Sequence, residues 1–257
     1  IGIKNAKGEV IIILGAHSFV ARDFISESVK ALELTGADCV GGRVETVSHS
    51  NNYWARVISL IFTSPFGVSD AFFRYSEKER YVDTVAYGAY RKQIFAKSGL
   101  FNEELIRNQD IELNSRIRKS GGRIFFTPKI RAFLYSRPSL SKMIEQNFGN
   151  GYWNIKTTMV NNRSLSLRHY VPLLFVLSIA LFIALAPFTV LARIGLLMMM
   201  CAYFSLALIF SVPVASANGI MCLSGLPVAF FIFHLSYGVG TIAGIIKHFI
   251  DRISVSV

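Results

Sequence analysis

From Tyr170 to Ile246 the chain carries a single formally charged residue, Arg193. A soluble helix buries one apolar stripe and keeps the opposite face polar, so an apolar run of this length on every face reads as membrane-spanning. Pro187, Pro213, the Asn218-Gly219 pair and Pro227 punctuate the block and predict spans near 170–186, 194–214 and 227–246. Spans of about 20 residues cross roughly 30 Å at about 1.5 Å per residue. Ser236, Gly240 and Gly244 recur every four residues and predict a small-residue stripe suited to close helix contact. Two regions follow: residues 1–165 with nearly all the polar chemistry, and residues 166–257, whose only charged groups are Arg168, Arg193, Lys247, Asp251 and Arg252. Three spans would put the C-terminus opposite the polar region, while Lys247 and Arg252 favour the cytoplasmic side, so the parity stays open.

The formal net charge of +11 admits nucleic acid, anionic lipid or a phosphorylated substrate as partner. None of the usual nucleic-acid signatures is present, which argues against that class. Lys142, Lys156, Arg163 and Arg168 gather just ahead of the apolar block, where anionic headgroups best explain them. Three dispersed cysteines, Cys39, Cys201 and Cys222, suit neither a disulfide scaffold nor a zinc site, and fit a reducing cytoplasmic face. The chain opens on Ile1, almost directly on a strand and without a signal peptide, so an N-terminally truncated form is expected.

Residues 9–14 predict a buried parallel strand, 19–34 a helix ended by Thr35-Gly36, and 38–47 a strand with a bulge or close approach at Gly41-Gly42. A helix over 51–62, a long loop over 63–79 and an extended stretch over 81–91 follow. Residues 110–119 predict a helix closed by Gly121, residues 123–127 and 130–135 two strands split by Pro128, and residues 140–158 a partly amphipathic helix. The alternation suggests an α/β sheet, with only about half of a nucleotide-binding sheet present.

Asp110 is the strongest catalytic candidate. A carboxylate at a helix start is held in place and kept ionised by backbone N–H groups and the helix dipole, as a general base requires. The bland alternative is a simple N-cap. Glu112, on another face, reads as an ion-pairing group. Trp153 and Tyr152 suit substrate contact or an interfacial aromatic belt equally. Asp83 suits a substrate hydroxyl or a turn, and Arg74 and Arg91 suit phosphates or the protein surface.

The stretch Arg107-Asn108-Gln109-Asp110-Ile111-Glu112-Leu113, followed by Gln146-Asn147-Phe148-Gly149-Asn150-Gly151-Tyr152-Trp153, resembles the acceptor side of family-2 glycosyltransferases, within them the succinoglycan-type exopolysaccharide branch. Ser64-Pro65-Phe66-Gly67-Val68 with Phe73-Arg74, and Tyr81-Val82-Asp83-Thr84-Val85 with Gly88-Ala89-Tyr90-Arg91, resemble the same branch. His234-Leu235-Ser236-Tyr237-Gly238-Val239-Gly240 extends the likeness more loosely. The resemblance implies a partial GT-A domain over 1–165, α/β in class, followed by an all-α transmembrane region. It implies Asp110 as the base, with Gln109 replacing the first acid of the family's pair. It further implies substrate contact by Asp83, Gly88, Arg91, Gln109, Gln146 and Trp153. A divalent cation, Mg2+ or Mn2+, is expected from it, yet Leu14-Gly15-Ala16-His17 puts Gly15 where the metal-site acid belongs and leaves His17 as a lone ligand.

The implied activity is inverting transfer of a sugar from a nucleotide-sugar, as a UDP-sugar, to a polyprenyl-diphosphate-linked saccharide. The setting would be exopolysaccharide or cell-envelope biosynthesis at the inner (plasma) membrane, multi-pass, with a cytoplasmic catalytic domain. The alternative is an inactive or truncated derivative serving as a binding or assembly partner. A transporter is disfavoured, since Arg193 and His234 are the only ionisable groups of consequence inside the block.

Overall fold

The structure, a computed structural model, describes residues 1–16, 18–48, 50–162 and 164–255. His17 and Arg163 therefore lie outside the described residues. In chain order the elements are α1 (Gly2–Asn5), β1 (Val10–Ile12), β2 (Ser18–Val20), α2 (Phe24–Thr35), β3 (Cys39–Val47), α3 (Tyr53–Ile61), α4 (Pro65–Val68), β4 (Arg80–Tyr81) and β5 (Ala89–Arg91). There follow α5 (Ile94–Ser98), α6 (Gln109–Lys119), β6 (Ile124–Tyr135), α7 (Leu140–Val160), α8 (Val171–Leu185), α9 (Val190–Asn218) and α10 (Leu226–Val255). They group into two compact units that are not consecutive in sequence. A sheet unit takes Ile1–Val47, Ala71–Tyr135 and Val160–Leu165, and a helical unit takes Ser48–Asp70, Ser136–Met159 and Ser166–Val257.

The sheet unit is built on a mixed sheet of order β1-β5-β3-β6-β2, with β4 added to β6. Only β3 and β6 run parallel. The parallel strand expected over residues 9–14 is instead the short β1, which pairs antiparallel with β5 from Val10 opposite Arg91 to Ile12 opposite Ala89. Phe19 lies on β2 opposite Phe133, so the helix expected from residue 19 starts only at Phe24. An apolar run this short does not distinguish strand direction or separate strand from helix.

Pro128 does not split β6, which is continuous from Ile124 to Tyr135. Its register to β3 jumps between Gly42–Thr127 and Arg43–Arg131, leaving residues 128–130 as the irregularity that absorbs the proline. The glycine pair in β3 has its explanation here. A Cβ on Gly42 would collide with the Ile130 carbonyl oxygen, and one on Gly41 would press on the Val85 side chain. The region expected as a long loop over 63–79 holds α4 and a single tight turn at Phe72–Arg74. One apolar cluster joins Cys39, Tyr90, Leu113, Ile117 and Phe126, and a second joins Phe24, Leu32, Val44 and Ile130.

Among the described residues, the helical unit contains three helices long and apolar enough to cross a membrane, Leu167–Leu185, Val190–Asn218 and Leu226–Ile253. Pro213 sits inside α9 rather than ending a span. In apolar surroundings the helix is the conformation that satisfies most backbone groups, so the loss of one N–H near its end is tolerated. The small-residue stripe packs against α7: a Cβ on Gly240 would strike the Phe148 carbonyl, and one on Gly151 the Tyr237 carbonyl. Phe66 of α4 sits among Phe210, Phe230, Tyr203 and His234, and the Tyr203 hydroxyl lies 2.8 Å from His234 Nδ1. Of the basic residues ahead of the apolar block, Arg168 is paired with Asp70 at 2.6 Å and Lys142 with Glu145 at 2.7 Å.

Because Gly42 faces backbone rather than a flexible side chain, Gly42→Ala is expected to destabilise the full chain by about 1–3 kcal/mol, the usual cost of overpacking. Gly2→Ala, where a Cβ meets nothing within 4 Å, serves as the control and should leave the melting temperature unchanged. Thermal unfolding of both variants in detergent checks the difference.

Candidate active site

Helix α6 begins after Asn108, which holds the left-handed conformation with φ 60° and ψ 20°. Asp110 is therefore the second residue of the helix and not its N-cap, which corrects the bland expectation. One carboxylate oxygen accepts the N–H of Ile111 at 2.9 Å. Gln109 precedes it, exposed, and its amide donates to the Leu105 carbonyl.

Three buried side chains fix the rest of the helix. Asn114 donates from Nδ2 to Thr84 Oγ1 at 2.8 Å and to the Val85 carbonyl at 3.1 Å, and its Oδ1 accepts from the Tyr90 hydroxyl at 3.2 Å. Glu112, only 2% exposed, meets the Arg116 guanidinium through two hydrogen bonds of 2.7 Å. Arg116 also donates to the carbonyls of Ser98 and Leu100, and Asn161 donates to Glu112 Oε1 at 3.0 Å. Glu112 is thus the ion-pairing group expected of it, and a buried carboxylate is tolerable only with such a partner set.

Burial pushes the Asp110 carboxyl above its ordinary 3.8, outweighing the backbone N–H groups and the Arg74 charge that pull the other way. At this helix start burial opposes the N–H groups and dipole that the sequence led one to expect would hold the charge, and it raises the carboxyl's affinity for a proton. Arg74 is likewise desolvated; burial brings its guanidinium down to about 10, with Tyr87 and Asp110 holding it charged. Its Nη1 donates to Thr46 Oγ1 at 3.2 Å. Tyr87, in the left-handed region at φ 53°, turns its ring toward Gly15, whose missing Cβ would lie 3.5 Å from Cε1. Arg74 thus lies within the electrostatic field of Tyr87 and Asp110, and Gly15 lies against the Tyr87 ring. Arg74 was legible only as an isolated cation in a resembling motif, and Tyr87 had no signal in the sequence.

The other candidate residues fall in several places. Asp83 is half-buried in the bend between β4 and β5, one residue before Thr84. Gly88 is buried against its own neighbour, since a Cβ there would meet the Tyr90 ring at 2.8 Å. Arg91 donates to the carbonyls of Leu32 at 2.6 Å and Ala37 at 3.0 Å, and so ties β5 to the end of α2. In the helical unit, Gln146 accepts from Arg137 at 2.8 Å, and Trp153 is half-buried edge-on to Tyr152. No group of three His, Cys, Asp or Glu side chains that could hold a metal ion is found among the described residues. A hard divalent cation needs several oxygen ligands, so the described donor set around Gly15 does not fit one.

The family model described as Glycosyl transferase family 2 matches residues 1–99. Over residues 1–99 the chain is similar to the family-2 glycosyltransferases. Among curated proteins, it is 27% identical over 255 residues to the dolichyl N-acetyl-alpha-D-glucosaminyl phosphate 3-beta-D-2,3-diacetamido-2,3-dideoxy-beta-D-glucuronosyltransferase of Methanococcus voltae, covering 96% of this chain and 74% of that protein. It is 26% identical over 169 residues to the succinoglycan biosynthesis protein ExoA of Rhizobium meliloti (strain 1021), covering 66% of this chain and 51% of that protein. The resemblance read from the sequence is borne out, as is a mixed α/β domain followed by apolar helices. The family generally uses divalent cations, and in this glycosyltransferase the described residues do not supply their ligands.

Asp110→Asn is expected to lower transfer by about 10²–10⁴-fold, the range a general base contributes. Stability moves the other way. The folded carboxyl binds its proton more tightly than the unfolded one, so native stability falls as pH rises from 3.8 through the raised value. Removing the charge abolishes that loss, and Asp110→Asn should melt at the wild-type temperature or above it at pH 7. A variant that is inactive and also less stable would assign Asp110 a structural role instead.

Proposed function

We propose that this glycosyltransferase moves a sugar, with inversion, from a UDP-sugar to a polyprenyl-diphosphate-linked saccharide. The setting is exopolysaccharide or cell-envelope assembly at the cytoplasmic face of the plasma membrane. The observation that supports the reading is the Asp110 carboxylate in the first turn of α6, a helix that Asn114 fixes to Thr84 and the Val85 carbonyl. The acceptor hydroxyl oxygen bonds to the anomeric carbon as the bond from that carbon to the phosphate oxygen breaks. Asp110 takes the hydroxyl proton, and the nucleoside diphosphate departs with the electron pair. The names of the two relatives support the acceptor class, one being a transferase to a dolichyl-phosphate-linked sugar and the other a succinoglycan biosynthesis protein. Helices able to cross a bilayer suit an acceptor that resides there. Within the sheet unit, Asp83 and Gln109 remain the substrate contacts of this reading.

A second reading, an inactive derivative acting as an assembly partner, draws on Gly15 and Gln109 standing where the family resemblance implies acids. One experiment separates the two. The full chain, reconstituted in lipid vesicles with polyprenyl-diphosphate oligosaccharide, is given radiolabelled UDP-sugars, and label in the lipid phase is counted. Transfer by the wild type, lost in Asp110→Asn, is the expected result. No transfer by the wild type, and none by Gly15→Asp, would favour the inactive derivative.

A further inference from the structure

Between α7 and α8 the segment Val160–Leu165 packs within the sheet unit, although both flanking helices belong to the helical one. Connecting segments usually run over the surface and leave their polar groups to water. This one does not, since Asn161 and Ser164 are buried. Asn161 donates from Nδ2 to the Glu112 carbonyl at 3.3 Å and to Glu112 Oε1 at 3.0 Å. Its Oδ1 accepts from Lys119 Nζ, which also donates to the Asn162 carbonyl at 2.5 Å. Both ends of the Asn161 amide are therefore engaged by one helix, α6. Glu112 is a telling place to hold that helix. Its N–H donates to the Asn108 carbonyl at 3.0 Å and closes the first turn, and Asp110 lies inside that turn. Asn108 itself is left-handed at φ 60°, a conformation that residues with a side chain seldom adopt and that the surrounding structure must enforce.

We propose that Asn161 is a positioning residue for glycosyl transfer, holding the first turn of α6, and with it the Asp110 carboxylate, from the segment that joins α7 to α8. The inference rests on the reading of Asp110 as the base and extends it to what sets that base in place. A base acts only from within hydrogen-bond reach of the proton it takes, and a misplacement of about 1 Å can cost on the order of 10²-fold in rate. The first turn of a helix has few intrahelical bonds of its own, so a tie from outside the helix decides where it rests. Glu112 is a firm anchor for that tie because Arg116 holds its carboxylate while donating to the carbonyls of Ser98 and Leu100. Taking away the Asn161 donor leaves a buried acceptor short of a partner, which the turn relieves by shifting or by admitting water.

The full chain in lipid vesicles is assayed for kcat and for the KM of the UDP-sugar. Asn161→Ala is expected to lower kcat by about 10–10²-fold and to leave KM within about twofold of wild type, because no ground-state contact is removed. Asn161→Asp sets a second carboxylate against Glu112 and should lose more. Adding Glu112→Gln turns donor and acceptor round and should recover part of that loss. The deciding comparison is made in the Asp110→Asn background. A residue that acts through the base has little left to do there, so Asn161→Ala should lower the residual rate by less than about twofold. A general loosening of the sheet unit would lower it as far as in the wild type. If Asn161→Ala does not fold, Lys119→Met carries the same test from the exposed end of α6, with kcat lowered, KM kept and no further loss beside Asp110→Asn. An unchanged kcat, or equal losses in both backgrounds, overturns the inference and leaves the reading of Asp110 standing. A wild type without transfer, or an Asp110→Asn variant as active as wild type, overturns that reading and the inference with it.

Discussion

The parallel pairing of β3 with β6 is the constraint on which the sheet unit depends. These two strands run side by side from Cys39–Ile124 to Val47–Tyr135, and every other strand attaches to one of them directly or through β5. Their closeness at Gly42 leaves no room for a side chain. Helix α6 feeds straight into β6 through a turn at Gly121, whose φ of 83° suits glycine. The position of Asp110 is thereby referred to the centre of the sheet. Asn114 adds a second reference to the 84–85 segment, and Arg116 a third to residues 98–100.

The chemistry follows from this anchoring. A carboxylate on a mobile surface helix would keep its hydration and titrate as an ordinary acid. Held in the first turn of α6, Asp110 loses water that the helix N–H groups and the Arg74 charge only partly replace. Desolvation wins over the dipole because a helix end offers typically well under 2 kcal/mol to a nearby charge, whereas removal from water costs several. On the proposed reading, Asp110 is then a proton acceptor of raised affinity held at a fixed place on the sheet, as glycosyl transfer needs.

Much of this was readable from the residues alone. The apolar block announced three membrane-length helices because one charge in so long a run leaves no polar face. Helix α6 and its leading acid were legible from periodicity and from Gly121. The glycines of β3 signalled close backbone approach. Strand direction was not legible, since β1 offers only three residues and no flanking pattern. The continuity of β6 through Pro128 depended on a register shift against β3, a tertiary event with no local signature. Arg91 and Arg74 look alike in sequence, yet one braces helix α2 and the other donates to Thr46 on β3. Their difference arises from which strand face and which turn each occupies. The partners of Asn114 are equally invisible in sequence, because a buried amide declares itself only through the groups folded around it.

The most direct test of the account is the titration of Asp110 itself. Carbon-13 NMR of the side-chain carboxyls, in full chain labelled at aspartate and held in detergent micelles, can be followed against pH and compared with Asp110→Asn. The account predicts one aspartate resonance with a midpoint above 3.8 that is missing from the variant. A resonance lost in the variant but titrating at or below that value would contradict a desolvated base.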